Sequence, residues 1–319
     1  GRVPHLQHGH SADPEARQML ACAQFSRYAD PRLAGHGALP QDGQPWLPLS
    51  ELLQAMLETG RLQLPWLEPT GFSDLRFAAP LPLPAAVTRE CRITARSQSW
   101  LLQDGVMTRM CHVRLQSRDL APNLRRINHF SPLARGMVFL AAAAGSLPPL
   151  WEGEMTATGP ELPLEGFYAD CGMAEGWRLV EELVPAGNDL WQGRFDGRAQ
   201  GIAPAGKSGY CSLLSAVDAI LQAACRIMED TVPGEEVAGG CLLWPQGWRL
   251  SGIGFIRFAD TERLCDARMP WRIQLRRGWD DERLQRYDAQ VVDADGRVLL
   301  TLHQMEFEKD VRPQEGAGA

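Results

Sequence analysis

No run of apolar residues in the 319-residue chain approaches the ~20 that a membrane-spanning helix requires, which argues against a helical membrane protein. The N-terminal stretch GRVPHLQHGHSADPEARQ lacks the apolar centre of a secretory leader. Positive charge is in deficit: the formal net charge is −7, so no electrostatic footprint for nucleic acid or an anionic membrane is visible. The eight cysteines, at 22, 91, 111, 171, 211, 225, 241 and 265, include no C-x-x-C pair. Several sit in apolar contexts such as LQAACRIM, where a reduced thiol behaves as a small hydrophobe. The expectation is a reducing, cytoplasmic compartment, no metal site, no membrane and no nucleic-acid partner. The Pro/Gly-containing ends, GRVP and RPQEGAGA, read as inter-domain linkers of a longer polypeptide.

What is present is ordinary globular composition, 45% hydrophobic and 22% charged, arranged twice in the same order. In the first half a turn-rich stretch around His36 leads into LSELLQAMLETG. Leu49, Leu52, Leu53 and Met56 fall there on one helix face, and Gly60 reads as the stop. Strand-like pieces follow at TGFSDLRFAAPLPL, VTRECRITARSQSW and GVMTRMCHVRLQS. Residues 119–163 contain breaker clusters and read as a connecting segment in which LARGMVFLAAAAG forms a short helix. The second half repeats the plan, with a helix over residues 211–228 and strands at DLWQGRF, GWRLSGIGFIRF, PWRIQLRRGW, LQRYDAQVVDADG and RVLLTLHQMEFEK. DADGR between the last two is a hairpin turn. The expected organisation is an N-terminal half over 1–118, the connection over 119–163, a C-terminal half over 164–310 and a tail over 311–319. Each half is a helix wrapped by an antiparallel sheet, an α+β pattern used twice.

Two motifs compete for the chemistry. Gly201-x-x-x-x-Gly206-Lys207-Ser208 matches the phosphate-cradling P-loop letter for letter. That loop needs a buried parallel strand delivering it to a helix N-terminus. The preceding GRFDGRAQ is polar and glycine-broken, and no β-α alternation surrounds it, so the NTPase reading is rejected. The second candidate is Asp218, an acid in a helix that is apolar on nearly every side, with Gln222 one turn later. A carboxyl there is costly unless it is hydrogen-bonded or functional, so it is either a buried Asp–Gln pair or an acid with a task. His36, in the turn ahead of the first helix, is either a surface loop histidine or a base that works with that acid.

These residues resemble the dehydratase domains of modular polyketide synthases, whose fold is a double hotdog. Asp218-x-x-x-Gln222 is similar to the family's D-x-x-x-Q/H motif, and Trp244–Trp248, WPQGW, to its L-P-F-x-W motif. RLAGH followed by WLPLSELL resembles the stretch around the catalytic histidine, and TRMCHVRL the strand that closes the first hotdog. The likeness in order and spacing runs over roughly residues 22–310. The chain departs from the family's H-x-x-x-G-x-x-x-x-P, since Gly43 and Pro48 lie three residues further on than that spacing. The opening H-P-L-L-G is missing, and G-Y-x-Y-G-P-x-F survives only faintly in CGMAEGWRL.

The resemblance implies dehydration of a 3-hydroxyacyl thioester held on the phosphopantetheine of an acyl carrier protein, without metal or redox cofactor. It implies His36 as the base, Asp218 as the acid and Gln222 as the residue orienting that acid. A backbone N–H at a helix N-terminus would polarise the thioester. Pro48, Pro245, Trp248 and Tyr210 would shape or support the substrate tunnel. Neighbouring synthase domains and a homodimer are the implied partners. Family members that lose the acid tend to be isomerases or inactive, so retention of Asp218 favours dehydration. The alternatives within the fold are cyclase, double-bond isomerase or branching domains, and a silent scaffold.

Overall fold

In the computed structural model, the described residues are 8–13, 18–27, 30–36, 45–78, 82–103, 105–142, 147–151, 155–195, 209–231, 248–259 and 270–309. The P-loop-like 201–208 segment, Gly43, Trp244 and Pro245 lie outside them.

Among the described residues, twelve strands form one antiparallel sheet that packs on two long helices. The first half comprises β1 (His8–Asp13), β2 (Gln18–Phe25), α1 (Leu49–Gln63), β3 (Glu68–Phe77), β4 (Thr88–Gln103), β5 (Val106–Leu120) and β6 (Ser131–Ala141). A short helix, α2 (Glu165–Asp170), leads into β7 (Glu182–Gly187), β8 (Leu190–Phe195), α3 (Gly209–Thr231), β9 (Trp248–Phe258), β10 (Trp271–Asp280), β11 (Leu284–Val292) and β12 (Val298–Lys309). The sheet runs β1-β2-β4-β5-β6-β3-β9-β12-β11-β10-β8-β7. Read outward from the centre, both halves have the same order, and β3 pairs antiparallel with β9 where they meet. The repeated pattern therefore corresponds to a repeated topology.

Each half of the sheet wraps its own helix. α1 packs on β2 through β6, α3 packs on β8, β10 and β11, and the two helices pack on each other. Leu214, Ala216, Val217 and Ala219 of α3 are buried on different sides of the helix. Apolar burial of this kind contributes ~1.5–3 kcal/mol per large aliphatic side chain, which explains an all-round apolar helix in a soluble fold. The junction demands close backbone approach. Gly71 has φ +153°, and a Cβ there would lie 2.1 Å from the Ile256 carbonyl oxygen.

Two expectations are corrected. Residues 131–141 are not helical: they form β6, between β5 and β3. Alanine-rich apolar runs favour helix locally, but two flanking strands here supply partners for the backbone N–H and C=O groups. Gly60 does not end α1, which continues to Gln63; its missing side chain lets the helix lie against Val138 of β6. The Asp293–Arg297 turn does close the β11–β12 hairpin, with Asp293 N–H donating to Arg297 O at 3.0 Å.

Candidate active site

Pro48 opens α1, with φ −55° and ψ 144°, and no side chain of its own segment caps the helix. The first N–H groups of a helix need acceptors from elsewhere. Asp218 of α3 supplies them from the other half of the molecule. Its Oδ1 accepts Leu49 N–H at 3.0 Å, its Oδ2 accepts Ser50 N–H at 3.2 Å, and the Ser50 hydroxyl donates to Oδ2. The carboxyl is 1% exposed. Desolvation raises its pKa from 3.8 to about 7, against the opposing pull of the Ser50 and Leu49 hydrogen bonds. Near neutrality Asp218 is thus poised between a carboxylic acid and a carboxylate.

His36 ends a 3-10 turn spanning Pro31–Gly35 and is 2% exposed, so it is not a surface loop residue. Its Nδ1 lies 3.1 Å from Trp46 O. A carbonyl only accepts, so the proton sits on Nδ1 and the lone pair on Nε2. The imidazole meets the Trp177 ring edge-on, with centroids 4.7 Å apart at 73°. Burial lowers its pKa to about 4, partly countered by the Trp46 hydrogen bond, so the ring is neutral at physiological pH. The turn approaches the second half closely. Ala174 N–H donates to Gly35 O at 3.0 Å, and a Cβ on Gly35 would lie 2.6 Å from that of Ala174.

Gln222 departs from its expected role. Its hydrogen bonds run away from Asp218: Nε2 donates to Trp177 O at 2.9 Å, and Oε1 accepts Leu179 N–H at 3.0 Å. The Tyr168 hydroxyl lies 3.1 Å from the same Oε1 and accepts Val180 N–H at 3.0 Å. A four-residue spacing places both side chains on one face of α3, but they grip different segments. Asp218 holds the start of α1, while Gln222 holds the 177–179 segment whose indole flanks His36. The expected Asp218–Gln222 pairing gives way because buried main-chain donors and acceptors in those two segments need partners more than the two side chains need each other.

A thioester-polarising N–H was expected at a helix N-terminus; at that of α1, the Leu49 and Ser50 N–H groups are engaged by Asp218. Trp248 is buried at the start of β9, within the core. Tyr210 lies in α3, its side chain outside the described residues, as is all of Pro245. Among the described residues no three His, Cys, Asp or Glu side chains converge as a metal site requires. Sequence reasoning missed Ser50, Trp177 and Tyr168. A hydroxyl two residues after the helix-opening Pro48 was a usable signal for Ser50. Trp177 and Tyr168 act across long sequence separations, with no local pattern to mark them.

No protein-family profile and no curated protein matches the chain. Solved structures do. GphF Dehydratase 1 is 15% identical, covers 96% of this chain and 99% of its own, and superposes with TM-score 0.64. The dehydratase domain from the CurJ module of curacin polyketide synthase is 14% identical, with coverage of 95% and 96% and TM-score 0.67. An inactive CurJ dehydratase mutant with phenylalanine in place of a histidine, in complex with a compound, gives 14%, 97%, 97% and 0.66. The fold is that of these polyketide synthase dehydratase domains, a double hotdog.

Proposed function

We propose that this protein eliminates water from a 3-hydroxyacyl thioester to give the α,β-enoyl thioester, with His36 as base and Asp218 as acid. One observation carries the reading. A buried neutral imidazole and a buried carboxyl with raised pKa, drawn from different halves, are both tied to the short segment Trp46–Ser50. Acid–base elimination needs these two protonation states together.

In the proposed step, His36 Nε2 takes the α-proton, whose acidity comes from the adjacent thioester carbonyl. The Cα–H pair becomes the new Cα–Cβ π bond as the Cβ–O bond breaks. Asp218 gives its proton to the departing hydroxyl, which leaves as water. The imidazolium and carboxylate then exchange a proton with solvent to reset the site. Trp177 restricts the imidazole ring, and the α1 N-terminus stabilises the Asp218 carboxylate once it has given up its proton. The chemistry needs no metal or redox group. An acyl carrier protein is the proposed bearer of the thioester, which places the domain in a multidomain synthase. The histidine-to-phenylalanine CurJ dehydratase, described as inactive, supports a histidine role in this fold.

A second reading is favoured by one neighbour: a GphF DH1 variant is described as isomerase-inactive. In that reading the same base moves a double bond of an already dehydrated chain. Mass spectrometry of a carrier-bound 3-hydroxyacyl thioester incubated with the protein separates the two. Loss of one water supports dehydration. An unchanged 3-hydroxyacyl mass, with double-bond migration in an enoyl substrate, supports isomerisation instead.

A further inference from the structure

Three arginines stand directly opposite one another on adjacent strands. Arg114 of β5 is the cross-strand partner of Arg135 on β6, and Arg135 is the partner of Arg76 on β3. The next rung adds Gln18 on β2, Arg96 on β4 and His112 on β5, again successive partners. The sequence neighbours Val113, Leu115 and Leu75 are buried against the core, so the arginines project from the outer face of the first half's sheet. Strands lie ~4.8 Å apart, and like charges directly opposite destabilise a sheet.

Neighbouring acids offset this arrangement only at its β3 end, where Glu306 and Glu308 share a pocket with Arg76 and Arg135. Arg76 pairs with Glu306, but among the described residues no ion pair engages Arg96, Arg114 or Arg135. Together with Arg76 and His112 these three line a cavity of about 810 Å³, and no carboxylate lines it among the described residues. His112 senses the same cations, its pKa lowered first by burial and then by Arg114 and Arg135. All of this lies in a chain of net charge −7.

We propose that this outer sheet face docks an acidic segment of another protein, with its carboxylates held by Arg96, Arg114 and Arg135. The shape selects the occupant. An exposed arginine holds a single anion weakly, so a solvated row of them requires a multivalent partner. The cavity's lining runs across five strands, β2 to β6, which suits an extended protein segment better than a single phosphate. Carboxylates three or four residues apart on a helix lie ~5–6 Å from one another, close to the spacing of the arginine row. Guanidinium groups also bind carboxylates in a two-point geometry. The surface is separate from His36 and Asp218, so the proposal stands or falls independently of the dehydration reading.

The test titrates the full chain against a fluorescently labelled glutamate-rich peptide, with inorganic pyrophosphate in a parallel arm. The peptide is expected to bind, and to be released as ionic strength rises from about 0.05 to about 0.5 M. Arg135→Gln removes the middle cation and both like-charge contacts. It should weaken peptide binding by ~10-fold while leaving the melting temperature unchanged or raised. Arg114→Gln/Arg135→Gln should abolish binding, with turnover of a small-molecule 3-hydroxyacyl thioester unaltered. No peptide binding by the unmodified protein, equal binding by the double variant, or binding of pyrophosphate alone would overturn the proposal.

Discussion

Asp218 accepts the backbone N–H of Leu49 at 3.0 Å, across 169 residues of sequence and across the boundary between the two hotdog halves. The acid of one half is thereby the cap of the other half's helix. Together with the two Ser50 hydrogen bonds, this contact sets the acid's position and couples its ionisation to the integrity of the junction.

The first consequence is a pH profile. His36 must be neutral, which holds above about 4, and Asp218 protonated, which holds below about 7. The kcat/KM for water loss should be level between those values and fall ~10-fold per pH unit on the alkaline side. A profile that rises through pH 8 would contradict the assignment of Asp218 as acid.

Stability should carry the same two ionisations with opposite signs. Asp218, raised to about 7 in the fold, favours the folded state while protonated, and that contribution is lost as pH rises from the unfolded value toward 7. His36, lowered to about 4, destabilises the fold where the unfolded chain binds the proton, so its contribution improves as pH rises from about 4 to 6.5. The two oppose each other over most of that window in the unmodified protein. Asp218→Asn should leave only the rising His36 branch, and His36→Phe only the falling Asp218 branch. Chemical denaturation at a series of pH values reads both.

Ser50→Ala removes the hydroxyl donor to Asp218 and should cost about 1 kcal/mol of stability. That bond lowers the Asp218 pKa, so its loss should move the alkaline limb of the rate profile to higher pH. An unmoved limb would show that Ser50 does not tune the acid.

Gln222→Leu should destabilise the fold by ~2–3 kcal/mol, because Leu179 N–H and Trp177 O lose their buried partner. Its effect on catalysis should come through Trp177 and His36, lowering kcat while leaving the alkaline limb in place. A shifted limb would restore the role of Gln222 as the residue that orients Asp218.

The fold was largely legible because most strands carry their own alternation. In β5, for example, Cys111, Val113 and Leu115 are buried with more exposed residues between them. β2 alternates as regularly, but its buried Ala21 and Ala23 differ too little in character from Cys22 to stand out. β6 was misread because its apolar run suits helix and buried strand equally until β3 and β5 are in place. At the site, His36, Asp218 and Gln222 were visible as residue types in a recognisable spacing. Their partners were not, since Ser50 meets Asp218 only after two halves fold together, and the turn with Trp177 has no periodicity to read.

The central claim is that Asp218 delivers a proton to the leaving hydroxyl after or as His36 takes the α-proton. Asp218→Asn keeps the size and most hydrogen-bonding capacity of the side chain but removes that proton. The decisive measurement follows water loss and α-carbon deuterium exchange together, by mass spectrometry, on one carrier-bound 3-hydroxyacyl thioester. The account predicts that Asp218→Asn loses ~100-fold or more in elimination while exchange persists, and that His36→Ala loses both. Unchanged water loss in Asp218→Asn would contradict it.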